Sequence, residues 1–353
     1  MTIASASPSI EISDPKLRAL CNHMAKAICL AADRAVAHTA DKAAFAIPND
    51  PNSFEQIVTR RLKEIKPENL QAAQVKVLAA LKNPLARRSR YAALGPIDLK
   101  STVAVDKQVD ARPLPTKMRL NANDLKSLRM VDNELTSASA GDGMRPQAVT
   151  DHLELRITAI RCVDETNPEA MGADEIALGG TSIDENGNTK KIDVMDFGDF
   201  ANDGVLKEFN PPRRFTTFDL TEGTNFPKTY FVTMVLAELD NGGFPSFLHE
   251  MTALIKTWVK SKVEEAGGSI GGVSGAAISA VIGAAVSAIL ESVIQWLISI
   301  WEDDLFLPIT VSATIQGFGH RWNGKTDSPN FLVSWKGHGG HYRLRYDWRM
   351  VTG

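Results

Sequence analysis

Cysteine is scarce in this 353-residue chain, which has only Cys21, Cys29 and Cys162. An odd, scattered set of three does not predict a disulfide framework, and it indicates synthesis in a reducing compartment. Cys21 and Cys29 have no cysteine or histidine partners at the spacing of zinc ligands. His23 is close to Cys21 in sequence, and we expect it to be an exposed helix residue.

A targeting leader and a basic surface are also missing from the sequence. Residues 1–13 have neither the basic start nor the apolar core of a signal peptide. We therefore expect synthesis in the cytoplasm, with any release following a non-classical route. The formal net charge is −3, and the clearest basic run is Arg87, Arg88 and Arg90. This distribution predicts no nucleic-acid partner.

Catalytic motifs are lacking as well. The sequence has no His-Glu-x-x-His and no Cys-x-x-Cys. Gly267–Gly271 matches the Gly-x-Ser-x-Gly pattern and Gly319–Thr326 matches the phosphate-binding-loop pattern. A nucleophile elbow needs a strand before it and a phosphate-binding loop needs a helix after it, and the sequence predicts neither at these places. We cannot assemble a nucleophile with an adjacent base and an orienting group. His338 and His341 could bind a metal from a predicted turn, but an exposed turn is the simpler interpretation. We therefore expect a protein that is not an enzyme.

One long uncharged stretch dominates what is present. No charged residue occurs from Ala266 to Leu290, and large apolar residues recur every three or four positions as far as Leu297. This spacing predicts a helix. A second row contains only small residues, spaced by four, and predicts a surface that another backbone can approach closely. Its members are Gly271, Gly275, Ser279, Gly283 and Ser287.

The residues before this helix make it one arm of a predicted helical hairpin, residues 247–301. The hairpin resembles the Gly/Ala-rich hydrophobic hairpins of pore formers that pass from a soluble to a membrane-bound state. The resemblance implies conditional insertion into a lipid membrane, with the small-residue row packing copies into a homo-oligomer. Trp296 and Trp301 would then lie near the membrane interface. A helix permanently buried in a soluble domain has the same pattern, and that alternative stays open.

Helix signals fill the N-terminal third of the chain. Asp14-Pro15, Ser53–Gln56 and Pro67 are helix starts, so residues 1–135 are predicted to be a helical module. Within it we expect a short strand at 101–105 and a brief helix at 121–128. Residues 136–150, rich in Ser, Ala and Gly, are predicted to be a linker.

After Thr150 the hydrophobic period becomes two. Strands are predicted at 152–162, 176–183, 189–194, 214–220 and 229–238, and after the hairpin at 307–316, 330–335 and 342–348. The predicted fold class is therefore α+β. It consists of an N-terminal helical module followed by an antiparallel β-sandwich, residues 151–353, interrupted by the Gly/Ala-rich helical hairpin.

Acidic and amide residues gather in the predicted loops of the β-domain. Asp164, Glu165 and Asn167 follow the first strand, Asp174 precedes the second, and Asp240 follows the fifth. Oxygen ligands at one end of a sandwich suit calcium, and these loops resemble those of C2-like domains in residue type. The phrases that begin at Asp164 and Asp174 also resemble ones in uncharacterised bacterial proteins, which imply no activity. Solvated turns have the same composition.

Two function hypotheses follow from the sequence. The first is a membrane-active, toxin-like pore former whose hairpin inserts conditionally. The second is a calcium-binding β-sandwich that serves as a binding or structural module, with the hairpin permanently buried.

Calcium binding is directly testable. If Asp164, Glu165, Asp174 and Asp240 hold the ion in the folded state alone, calcium raises the melting temperature as the ligand excess grows. We expect a thermal scan in millimolar calcium to show a higher midpoint than a scan with chelator. Identical midpoints would exclude the calcium site.

Overall fold

The computed structural model describes residues 4–5, 12, 14–121, 124, 150–166, 174–223, 226–238, 244–267, 275–301, 305–337 and 339–353. These residues form a mixed helix-and-sheet structure, which confirms the α+β class. The predicted linker lies outside the described residues except for Thr150, and so does most of the predicted helix at 121–128.

Five helices form the described N-terminal part: α1 (Pro15–Ala40), α2 (Phe54–Leu62), α3 (Pro67–Lys82), α4 (Pro84–Tyr91) and α5 (Val105–Asp110). The side chain of Asp14 accepts a hydrogen bond from the backbone of Leu17, and Ser53 accepts one from Gln56. These caps satisfy backbone donors that the first helical turn leaves free.

Two local predictions in this part are wrong. Residues 101–105 do not form a strand, because the hydroxyl of Ser101 accepts a hydrogen bond from the backbone of Val103 and α5 begins at Val105. Such a local side-chain bond turns the chain and removes it from any ladder. His23 is half-buried rather than exposed, since it lies at the edge of the apolar face of α1.

Within the described ranges, nine strands form two sheets: β1 (Ala4–Ser5), β2 (His152–Asp164), β3 (Asp174–Ile183), β4 (Thr189–Phe200), β5 (Leu206–Asp219), β6 (Lys228–Glu238), β7 (Ile309–Ile315), β8 (Phe331–Gly337) and β9 (Gly340–Val351). The first sheet has the order β1-β8-β9-β2-β5, and the second has the order β4-β3-β6-β7. All neighbours are antiparallel except β1 and β8.

Strands β4 and β5 are longer than predicted. The predicted strand began at 214, after Pro211 and Pro212, yet β5 begins at Leu206 and includes both prolines. In the first sheet β5 is an edge strand, so a proline there removes no ladder hydrogen bond that a second neighbour needs. Register shifts between β2 and β5 accommodate the irregular backbone.

Side chains from both sheets share one hydrophobic cluster. The rings of Phe218 on β5 and Tyr230 on β6 have centroids 4.7 Å apart, and those of Phe200 on β4 and Tyr342 on β9 are 5.6 Å apart. The alternation predicted for β9 is confirmed, because alternate residues from Tyr342 to Trp348 are buried. Burial of such aromatic side chains contributes much of the stability of a core.

Two further helices, α6 (Phe244–Gly267) and α7 (Gly275–Trp301), come between β6 and β7 in the chain. They contact each other, and together we call them the helical pair. Helix α6 contacts β3 and β4, while α7 contacts β6. On the other side α2 contacts α6, and α1 and α3 contact α7. The helical pair is therefore a middle layer between the second sheet and the N-terminal helices.

A second hydrophobic cluster joins these layers. It contains the buried residues of the N-terminal helices, those of the helical pair, and Ile183, Phe231 and Val235 from the second sheet. The N-terminal helices thus complete the cover of the helical pair.

Candidate functional site

Helix α7 has the most unusual composition in the described structure. Its window Val281–Ile298 has a mean hydropathy of 1.9 and is the one described helix long and apolar enough to cross a membrane. In this fold 72% of that window is buried. A core helix and a conditional membrane span both meet this description, so the contacts of α7 have to distinguish them.

Gly283 brings α7 against the second sheet. A Cβ atom at this position would lie 2.3 Å from Cε2 and 2.4 Å from Cδ2 of Phe231 on β6. The close neighbour is therefore an aromatic ring, whereas the sequence led us to expect the backbone of another helix. Ser287, one turn further, is buried, and its hydroxyl has no hydrogen-bond partner among the described residues.

The surroundings of the other members of the small-residue row lie outside the described residues. Gly271 lies outside the described residues, as do the surroundings of Gly275 and Ser279 at the start of α7. The side chain of Trp301, at the end of α7, also lies outside them. Among the described positions of the row, Gly283 and Ser287 therefore show where it packs.

Trp296 lies in a buried polar cluster around Asp33 of α1. The hydroxyl of Tyr91 donates to the Asp33 carboxylate, and the guanidinium of Arg90 lies 3.3 Å from it. Burial raises the pKa of Asp33 to about 6, while Arg90, Tyr91 and the indole of Trp296 act in the opposite direction. In this state Trp296 joins α7 to α1 inside the protein, 8% exposed, instead of facing an interface.

A second buried pair stabilises the arrangement of the N-terminal helices. The guanidinium of Arg34 lies 3.5 Å from the carboxylate of Glu55, and both side chains are fully buried. Arg34 also donates to the carbonyl of Val103, and Glu55 accepts from the backbone of Val105. These bonds join α1, α2 and the start of α5 beneath the surface of the N-terminal part.

Sequence reasoning missed both polar clusters. Their signal is the dipeptide Asp33-Arg34 in the middle of the apolar stretch of α1. Charged residues are almost never fully buried unless they are paired, so two in such a position predict buried partners.

Polar contacts also connect the helical pair to the N-terminal helices. Asp110 of α5 accepts a hydrogen bond of 2.9 Å from the indole of Trp258 and lies 2.8 Å from the ammonium of Lys262. Arg60 of α2 forms an ion pair with Glu250 of α6. Lys262 lines a cavity of about 370 Å³ next to Asp110, with Leu114 and Met118 on its apolar side.

The predicted calcium ligands come from strand ends that the two sheets bring together. In the first sheet, Cys162 of β2 pairs with Tyr342 of β9. The ring of Tyr342 contacts the ring of Phe200 on β4, and Phe200 pairs with Asp174 of β3 in the second sheet. Ile176 pairs with Glu238, so β2, β3 and β6 meet at one end.

At that end Asp164 is exposed, whereas Glu165 is buried and its backbone donates to Asp203. Asn167, Asp240 and the side chain of Asp174 lie outside the described residues. Within the described ranges, no three His, Cys, Asp or Glu side chains are grouped closely enough to hold a metal. The calcium site stays a prediction.

No protein-family model matches the chain, and the searches of curated proteins and of solved structures also gave no match. The geometry of the helical pair is therefore the basis for proposing a function.

The contact between Gly283 and Phe231 predicts that a larger side chain at position 283 destabilises the fold. Gly283→Leu should lower the free energy of unfolding by about 1–3 kcal/mol, because the added atoms overlap the ring. Urea unfolding measures the loss, and Gly317→Leu is the matched control, since nothing lies within 4 Å of a Cβ there. In the double variant with Phe231→Ala the two losses should not add. Simple additivity would contradict this contact.

Asp33 predicts a pH dependence of stability. Its folded pKa of about 6 exceeds the ordinary value of 3.8, so the folded state binds the proton more tightly. The resulting stability is fully present below pH 3.8 and is lost as the pH rises through 6. A shift from 3.8 to about 6 corresponds to ~3 kcal/mol in full, at ~1.4 kcal/mol per pKa unit. Relative to Asp33→Asn, the parent should lose about 2 kcal/mol of this between pH 4 and 7. A constant difference in urea unfolding would contradict it.

Proposed function

We propose that this chain is a non-enzymatic, membrane-active protein of the pore-forming, toxin-like kind, whose helical pair inserts conditionally into a lipid membrane. The observation that carries the proposal is the position of α7. Its apolar window of 18 residues lies beneath the N-terminal helices, on the face of the second sheet. An apolar segment stored beneath a separate cover is what a soluble-to-membrane transition requires.

We further propose that the two sheets form an antiparallel β-sandwich and that the helical pair is a hairpin inserted between β6 and β7. The cluster shared by both sheets and the ring contacts between them support this arrangement. The sandwich would remain folded while the hairpin leaves, because β6 and β7 pair directly with each other.

The dimensions of α7 fit a span. At 1.5 Å per residue its 18-residue window would measure about 27 Å, close to the ~30 Å of membrane hydrocarbon. Glu291 is half-buried, and burial raises the pKa of its carboxyl. In lipid this group would be costly unless it were protonated or faced a water-filled lumen. Copies packed through Gly283 and Ser287 would supply such a lumen.

Opening would have to separate the N-terminal helices from the helical pair. Exposed ion pairs such as that of Arg60 and Glu250 contribute about 0–1 kcal/mol each. Buried apolar contacts therefore supply most of the free energy that holds the N-terminal helices on the helical pair. Acid does not open the structure through Asp33, because protonation there stabilises the closed state. Acid would instead act on Glu291, by lowering the cost of placing it in lipid.

A second candidate is a binding or structural module with the hairpin permanently buried. The close fit of Gly283 on Phe231 favours it, since tight packing of this kind resists separation. The two candidates differ in whether α6 ever leaves α2.

A cleavable clamp tests this difference. Arg60→Cys and Glu250→Cys place two exposed thiols across the α2–α6 contact, where a short disulfide-containing bis-maleimide can join them. Cys29 is replaced by Ala, while Cys21 and Cys162 are buried. We expect the uncrosslinked variant to release dye from liposomes, the clamped one to release it at least tenfold more slowly, and reduction of the linker to restore release.

The control uses the same linker within one helix. Lys260→Cys and Glu264→Cys lie one turn apart on α6, so crosslinking them should leave dye release unchanged. If the parent releases no dye from neutral or anionic liposomes between pH 5 and 8, the proposal fails and the permanently buried hairpin stands. If the clamped variant leaks like the parent, separation of α2 from α6 is not the opening step.

A further inference from the structure

The outer face of the first sheet carries an unusual line of residues. Strand register places Leu206 of β5 beside Arg161 of β2, Arg161 beside Arg343 of β9, and Arg343 beside Ser334 of β8. All four side chains are exposed, whereas their neighbours along β2 and β9 are buried in the core. The pair Lys336 and His341 follows on the same face, and the exposed Asp164 of β2 lies opposite His341. We call Arg161, Arg343, Lys336 and Leu206 the basic row, whose three cations outnumber the one neighbouring carboxylate of Asp164.

The pairing in this row is unfavourable for the isolated protein. Like charges that lie directly opposite on neighbouring strands repel each other. In the part of the chain that the structure describes, neither Arg161 nor Arg343 forms an ion pair. Two other arginines on this face, Arg156 and Arg345, do have carboxylate partners.

The rest of the same face shows the contrast. Arg156 donates to both oxygens of Asp347 and to Asp327, and Arg345 donates to Glu208 at 2.8 Å. Cations in the middle of the sheet therefore have carboxylate partners. The basic row, on a chain of net charge −3, presents its cations to solvent.

We propose that the basic row binds a membrane surface that contains anionic lipid headgroups. A flat sheet face brings several cations to one plane at once, and each adds attraction to an anionic bilayer. Leu206, 50% exposed at the end of the row, favours lipid over nucleic acid. An aliphatic side chain is stabilised by burial at the headgroup–acyl boundary of a membrane, whereas a phosphodiester backbone offers it no apolar contact.

This docking surface is independent of insertion. The helical pair packs on the second sheet, whereas the basic row lies on the outer face of the first sheet. With the sheets packed as proposed above, docking would leave the N-terminal helices uncovered and able to move. Binding and dye release therefore report two different surfaces.

Vesicle co-sedimentation tests the proposal with the full chain. We expect binding to phosphatidylcholine vesicles that contain 30% phosphatidylglycerol, and little binding to phosphatidylcholine alone. At about fivefold per basic residue, Arg161→Thr with Arg343→Thr should weaken binding about 25-fold. The melting temperature of this variant should be equal or higher, because the repulsion is removed. In 1 M salt, where the screening length is about 3 Å, binding should disappear.

The controls separate position from charge. Lys63→Thr with Lys66→Thr removes the same charge from exposed positions at the ends of α2 and α3, and should bind like the parent. Arg161→Lys with Arg343→Lys should retain binding. The proposal is overturned if the parent ignores anionic vesicles, if the Thr variant binds like the parent, or if an oligonucleotide binds the row more tightly than the vesicles do. Sedimentation without dye release would leave docking intact and remove the insertion proposal.

Discussion

An apolar helix in water must be covered on every side, and this requirement on α7 explains how the other elements are placed. The second sheet covers one face through Phe231 and Val235, α6 covers a second, and α1 and α3 cover a third. No single layer could do this, because a helix that is apolar nearly all round leaves only a narrow strip for solvent, here with Glu291 and Gln295. The N-terminal helices are therefore part of the core of the molecule, although they precede the β-strands by many residues.

Much of this architecture could be predicted from the sequence because the relevant signals are local. Period-two alternation located β2, β6 and β9, and the capping residues Asp14 and Ser53 marked the starts of α1 and α2. The small-residue row predicted a close approach at Gly283, but a residue pattern does not specify which element approaches. That partner, Phe231, comes from a strand more than fifty positions away.

Features that depend on long-range pairing could not be predicted. The cluster of Asp33, Tyr91 and Trp296 joins three separate helices, and the basic row takes its residues from different strands. Along the chain the clearest basic run is Arg87, Arg88 and Arg90, whereas the basic row forms only across neighbouring strands. For the calcium hypothesis the register brings the strand ends together, but Asn167 and Asp240 lie outside the described residues.

The pairing of β2 with β9 has a consequence for how the protein is made. His152 lies opposite Val351, so the centre of the first sheet joins residues from opposite ends of the C-terminal two thirds of the chain. On the ribosome this sheet cannot be completed until β9 has emerged, and such non-local pairings form slowly. Helix α7 is synthesised earlier, when α1, α3 and β6 are already available to contact it. The N-terminal helices thus precede the helical pair in the chain and are available to cover α7 as soon as it is made.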